Sequence, residues 1–335
     1  MTTTAPTGPL LDALRSSETH STWLEHLEGL PDPGFPIELP DVDRTVAILR
    51  DLEVPEEDIP AAIASRPDRD EQPDAWWLLE RATVDLVSTI GRLDAPPWFP
   101  SPYTVPGMDP FFFVNVFIAT LPHTRRYHRE RGIPDEVSRA TLADLGRNVR
   151  VNRKRYGEGG LETSNWLMLH FRGMIYQLGR LQFERARTWD SIVEAATSCG
   201  EDASPDDLAL SVHIPDFMGP MSPEACDASI ADARAFFSTC FADEPYQRAV
   251  CSSWLLDPQL KTYLPPTSNI VRFQNRFEIA ACGRNSDTSV LQFVFGPAPD
   301  DLDTLPQQSS LQRAVVTHLK NGGHWRFCPG WFRWN

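Results

Sequence analysis

Three segments between Leu208 and Leu255 decide the fold: LALSVHI (Leu208 to Ile214), SPEACDASIADARAFF (Ser222 to Phe237) and RAVCSSWL (Arg248 to Leu255). The first alternates with a rough period of two and predicts a strand. The second predicts a helix: Ser222 is placed to cap it, Pro223 fits its first turn, and Cys226, Ile230, Ala233, Phe236 and Phe237 recur at helical spacing. The third predicts a second strand. Strand, helix, strand is the grammar of an α/β layer structure.

Downstream, Pro258 to Leu264 predicts a short helix, Asn269 to Ile279 and Ser289 to Phe295 predict two strands joined by a polar turn at Gly283 to Asp287, and Ser309 to Lys320 predicts a last helix stopped by Gly322-Gly323. The aromatic tail (Trp325, Phe327, Trp331, Phe332, Trp334) is expected to pack on the core. Upstream, RLQFER (Arg180 to Arg185) predicts a strand, and Ser164 opens NWLMLHFRGMIYQL, read as one helix closed by Gly179, with a strand over Trp166 to Phe171 as the alternative. Before Gly157–Gly160 (GEGG) the pattern is helical and cut by proline. Helices are predicted within Leu10 to Leu30, from an Asp41 cap to Leu52, from Pro55 onward, over Trp76 to Leu93 and over Pro134 to Tyr156. Ala95 to Pro110 is predicted to be loop, and FFFVNVFIATL (Phe111 to Leu121) a buried helix or strand. The expected architecture is α/β (α+β): an all-helical N-terminal domain, residues 1–157, then a mixed β-sheet domain flanked by helices, residues 158–335.

The 335 residues are 41% hydrophobic and 23% charged, enough apolar matter for a packed core. The formal charge of −15 argues against nucleic-acid and anionic-membrane partners. The N-terminus lacks a secretory signal pattern and no apolar run reaches membrane-span length, so a cytoplasmic protein is expected. The six cysteines form no C-x-x-C pair and are expected to be reduced thiols, and no metal site is expected. Residues 32–85 carry 15 acidic side chains against 5 Arg, and residues 125–155 carry 10 basic against 4 acidic. Either stretch reads as a solvated helix face, and the basic one alternatively as a surface for an anionic ligand or an acidic carrier protein.

From Trp166 onward the sequence resembles bacterial acyltransferase-domain proteins whose C-terminal half has the GNAT (Gcn5-related N-acyltransferase) fold. The residues that carry the resemblance are HFRGMIYQLGRLQFE (His170 to Glu184), SVHIP (Ser211 to Pro215), SPEACDASI (Ser222 to Ile230), CSSWLLDPQL (Cys251 to Leu260), SNIVRFQNRF (Ser268 to Phe277), SSLQRAV (Ser309 to Val315) and GGHWR (Gly322 to Arg326). The resemblance implies an N-acyltransferase taking an acyl group from acyl-CoA, or from acyl-phosphopantetheine on an acyl carrier protein, to a small-molecule or peptide amine. The alternative is a non-catalytic acyl-ligand-binding protein on the same scaffold. By that resemblance His213 takes the place of the base and Tyr263 that of the acid for the leaving thiolate. Ile214, Gly219, Ser222, Ala225 and Trp254 border the donor, with backbone amides near His213 to Pro215 as oxyanion donors. The loop departs from the family's usual Gln/Arg-x-x-Gly-x-Gly/Ala, having one glycine, an Asp216 and no basic residue. Arg272, between apolar neighbours, and His170, inside a predicted helix, are the candidate substrate contacts. Cys251 is an alternative nucleophile for a covalent route.

Overall fold

The computed structural model describes residues 5–94, 96–283, 285–296 and 301–334; Ala95 of the predicted loop and Arg284 of the predicted polar turn lie outside them. The chain divides into two units, one up to Tyr176 and one from Gln177.

The first unit is helical: α1 (Pro9–Arg15), α2 (Ser21–Gly29), α3 (Val42–Asp51), α4 (Ile59–Ala64), α5 (Pro73–Ser88), α6 (Phe112–Glu130), α7 (Asp135–Leu142), α8 (Asp144–Tyr156) and α9 (Ser164–Phe171). Asp41 caps α3 as expected, its carboxylate accepting from the Arg44 amide at 2.8 Å. The ambiguous run after Phe111 forms α6, whose Phe113, Phe117 and Leu121 enter a core shared with Trp23, Leu78 and Leu145. The core also takes Leu161, Leu167, Met168 and Phe171. That burial ties α9 to the helices before it, so the units part at Tyr176/Gln177, beyond the GEGG segment at which the sequence reading placed the boundary.

The two charged stretches find each other. Arg125 pairs with Asp51, Arg147 with Glu53 at 3.5 Å, Arg150 with Glu53 at 3.9 Å, and Arg153 with the buried Asp58 and with Glu57. Exposed pairs of this kind each contribute only ~0–1 kcal/mol. Their effect is on recognition, since much of the basic charge of residues 125–155 is neutralised within the unit.

Two buried histidines are held differently. His170 places Nε2 3.1 Å from Asp144 Oδ2 and Nδ1 3.2 Å from the Trp166 carbonyl, with both side chains out of water. His128 instead faces Ser138 Oγ at 2.7 Å, and burial, helped by Arg125, lowers its imidazole pKa to about 4. An unfolded His128 protonates near pH ~6.5 while the folded one stays neutral. This contribution is therefore whole above pH ~6.5 and declines as the pH falls toward 4. Stability is expected to drop by about 2 kcal/mol between pH 7 and pH 5 from this residue. Denaturant midpoints measured across that range should flatten in His128→Gln.

The second unit is built on a six-stranded sheet of order β1-β2-β3-β4-β6-β5: β1 (Ile175–Leu178), β2 (Leu181–Arg187), β3 (Leu208–His213), β4 (Arg248–Ser253), β5 (Glu278–Ile279) and β6 (Cys328–Arg333). Its helices are α10 (Asp190–Ser198), α11 (Pro223–Cys240), α12 (Asn269–Gln274), α13 (Asp287–Phe295) and α14 (Ser310–Lys320), with short 3-10 turns at Trp254–Leu256 and Pro258–Thr262. The deciding strand–helix–strand run stands as read. Ser222 Oγ accepts from the Ala225 amide at 3.2 Å, and Ser309 with Gln312 forms a capping box on α14.

Four expectations are corrected. The helix from Ser164 ends at Phe171, because Gly173 takes φ 66 and its amide bonds the His170 carbonyl. IYQL then becomes β1, and Gly179, at φ 65, turns the chain into β2. Asn269 to Gln274 is helix: Ser268 caps it through the Val271 amide, and Val271, Phe273 and Gln274 are buried. Asp287 to Phe295 is helix too, with Val290, Leu291 and Val294 turned to one apolar cluster at helical spacing. The thiol expectation fails at one pair, since Cys282 and Cys328 form a disulfide.

The tail supplies β6, hidden from the sequence by Pro329 and Gly330, which are unusual inside a strand. A side chain at Gly330 would meet Ile279, Leu256 and Phe277 at 3.1 Å, so glycine permits the close approach there. The disulfide spans 46 residues and clips the segment after β5 to β6. Reducing it is expected to cost about 2–4 kcal/mol, mostly through the freer unfolded chain. Melting curves with and without dithiothreitol, with Cys282→Ser/Cys328→Ser as reference, check this. Among the described residues no helix is long and apolar enough to cross a membrane.

Candidate functional site

Side-chain alternation gives the sheet two distinct faces. Ile192 and Ala196 of α10 pack on Ala209, Val250 and Trp331 on one face. On the other, Phe183 meets Trp334 beside Arg234 of α11, and Arg185 lies 4.6 Å from the Phe241 ring just past that helix. β3 and β4 run parallel and pair only over Ala209–Arg248, Leu210–Ala249 and Ser211–Val250. Beyond that short ladder β3 continues to His213 along β2, while β4 continues to Ser253 along β6. Each strand is held from its outer side, so the ladder stops before either strand ends.

His213 stands where the ladder has stopped, on the α10 face. Its Nε2 lies 2.7 Å from Glu184 Oε2 and 3.2 Å from Ser211 Oγ. The register explains the contact: Glu184 is opposite Ser211, one pleat from His213 on the same face. Both side chains are partly exposed, so the pair can meet a substrate. Sequence reasoning missed Glu184 because its role depends on the β2–β3 register, and no local spacing announces that.

The loop after His213 leads to the helix start. Ile214 is half-buried, Gly219 is exposed at φ 73, and Ser222 and Ala225 form the cap. The Glu224 carboxyl is held below its ordinary range by its own backbone N–H and by Ser222. The positive charge absent from this loop comes from elsewhere. Arg180, in the β1–β2 turn, donates Nη1 to the Pro215 carbonyl at 2.9 Å, and burial depresses its pKa. Arg276, just past α12, reaches the Pro223 carbonyl at 3.1 Å and Asp227 at 2.7 Å.

Trp254 and Tyr263 share a separate apolar cluster with Leu260, Val271 and Trp325. Trp254 follows β4 and is buried, whereas Tyr263 is half-exposed with Oη 3.1 Å from His318 Nδ1. Arg272 lies exposed on α12 rather than inside a strand. His170 belongs to the helical unit and is wholly buried against Asp144. Cys251 is enclosed in β4, and burial pushes its thiol up to about 12, the opposite of what a nucleophilic thiolate needs.

A helical unit followed by a mixed sheet whose parallel strands pair over half their length is the frame of a GNAT-like transferase. Residues 175–332 match the GNAT-like C-terminal domain, and residues 43–173 match the N-acyltransferase N-terminal domain. A solved acyltransferase in complex with decanoyl-CoA and teicoplanin is 39% identical, with a TM-score of 0.86, over 97% of this chain and 98% of that one. An acyltransferase mutant in complex with octanoyl-CoA is 39% identical over the same shares, with a TM-score of 0.85. An acyltransferase in complex with decanoyl-CoA is 37% identical over 96% of this chain and 98% of that one, with a TM-score of 0.85. No curated protein matches at a significant level. The chain belongs to this acyltransferase family of N-terminal NAT and C-terminal GNAT-like domains, and it is an enzyme of acyl transfer.

Proposed function

We propose that the protein moves a medium-length acyl group from acyl-CoA to an amine on a glycopeptide of the teicoplanin kind, by direct attack of the amine on the thioester. The observation that carries this reading is the end of the β3–β4 ladder at Ser211–Val250 with His213 and Glu184 beside it. In this reading a pantetheine arm enters where the strands have ceased to pair, and the backbone amides of His213 and Ile214 face the thioester oxygen.

In the proposed reaction His213 takes a proton from the attacking amine as the C–N bond forms, and Glu184 holds and stabilises the imidazolium. The tetrahedral oxyanion collapses, the C–S bond breaks, and the thiolate takes a proton from Tyr263, with His318 behind it. Ile214, Gly219, Ser222, Ala225 and Trp254 border the donor in this reading, and Arg180 with Arg276 brings positive charge toward the donor's phosphates. Free CoA is favoured over a carrier-protein donor because residues 125–155 already meet acidic partners of their own unit. The relatives solved with decanoyl-CoA, octanoyl-CoA and teicoplanin support the choice of donor and acceptor class.

The test is thiol release from octanoyl- and decanoyl-CoA in the presence of a panel of peptide amines, amino sugars and a glycopeptide bearing a free amine. Acylated product identified by mass spectrometry is expected. No thiol release with any acceptor ends the proposal.

A further inference from the structure

We infer that the acceptor is seated in a cleft on the α10 face of the sheet, which takes an uncharged, ring-bearing part of that molecule while its amine reaches His213. The inference rests on the transfer reading above. The cleft has a volume of about 390 Å³ and is lined by Ser191, Ser252, Ala281, Gly283, Phe327 and Pro329.

Its position follows from register. Ser211 is aligned with Val250 across the parallel ladder, so two residues further on His213 and Ser252 project to the same face. Ser252 is opposite Pro329 on β6, and these two side chains form the cleft floor. Ser191, in the first turn of α10, stands over the same face. The Ser222 cap and α11, proposed for the donor, belong to the opposite face. The base and the cleft therefore share one side of the sheet, as a proton acceptor for the incoming amine requires.

The lining indicates what fits. It has two hydroxyls, one aromatic ring, one proline and two small residues, and no charged side chain. Such a surface stacks and hydrogen-bonds a neutral sugar or aryl ring. Glu184, bonded to the base, offers a carboxylate to an arriving ammonium group. The volume is at the small end of the ~300–1,000 Å³ usual for small-molecule pockets, so the cleft holds one arm of a larger acceptor. The wall is fixed in advance: Cys282 lies between Ala281 and Gly283, Cys328 lies between Phe327 and Pro329, and the two are bonded.

Ser252→Trp and Ser191→Trp fill the cleft from floor and wall; both serines are exposed, so each change adds bulk to open space. With a glycopeptide bearing a free amine as acceptor and decanoyl-CoA as donor, each variant is expected to raise the acceptor KM about tenfold or more, with kcat within about threefold. Titration calorimetry is expected to show the same loss for the glycopeptide alone and an unchanged Kd for CoA. Two folded variants with wild-type acceptor KM and glycopeptide Kd overturn the cleft while leaving the transfer reading intact. A wild-type protein that neither binds the glycopeptide nor acylates any amine overturns both.

Discussion

His213→Ala is expected to lower kcat by about 10²–10⁴-fold, the range a positioned general base contributes, while the Kd for acyl-CoA stays near its wild-type value. The separation follows from where the imidazole sits. It lies on the α10 face at the end of β3, bonded to Glu184 and Ser211, and it takes no part in capping α11. Glu184→Gln preserves the shape and one hydrogen bond but removes the charge that stabilises the imidazolium. Charge-assisted hydrogen bonds exceed neutral ones by an amount worth about 10–100-fold in rate here. The order His213→Ala below Glu184→Gln below wild type, read by single-turnover acyl transfer, is the expected result. An unchanged chemical rate in His213→Ala would remove the residue from catalysis.

Asp144→Ala is expected to destabilise the helical unit by about 3–5 kcal/mol, because it removes the buried carboxylate on which Asn148, Trp166 and His170 converge and leaves their buried polar groups without it. Asp144 Oδ2 receives Asn148 at 3.0 Å, Trp166 Nε1 at 3.1 Å and His170 Nε2 at 3.1 Å. Burial pushes the carboxyl's pKa up, but the His170 charge, the hydrogen bonds from His170 and Trp166, and Arg147 outweigh it and hold the group below its ordinary range. A depressed carboxylate stabilises the fold above the unfolded pKa of ~3.9 and loses that contribution as the pH falls through the folded value. The loss in Asp144→Ala should therefore be full at pH 7 and shrink in strong acid. Denaturant unfolding followed by tryptophan fluorescence reads both. The double variant Asp144→Leu/His170→Leu should recover much of the stability, which identifies the stranded buried polar group as the cause.

Legibility followed locality. Caps that a few neighbouring residues can specify, such as Asp41 and Ser222 with Pro223, are readable in the sequence and stand in place, whereas the Ser309–Gln312 capping box emerges only in the structure. Where short apolar runs could be either strand or helix, β-branched content misled: SNIVRF and SVLQFVF form helices because their starts are capped or acidic and their apolar residues meet one cluster. The β6 strand was obscured because its proline and glycine obey a tertiary need. Pro329 gives its carbonyl to Ala280, and Gly330 makes room for Ile279 and Leu256. The same limit applies to the candidate site. The family resemblance points to His213, but Glu184 and Arg180 are brought in by pairing register and by a hairpin turn, which no linear spacing encodes.

If donor and acceptor approach from opposite faces of a single sheet, neither occludes the other's route, and a buried thiol in β4 offers no place to park the acyl group between visits. The order of arrival is then free, both molecules must be aboard before anything reacts, and each product can leave by the way its parent came.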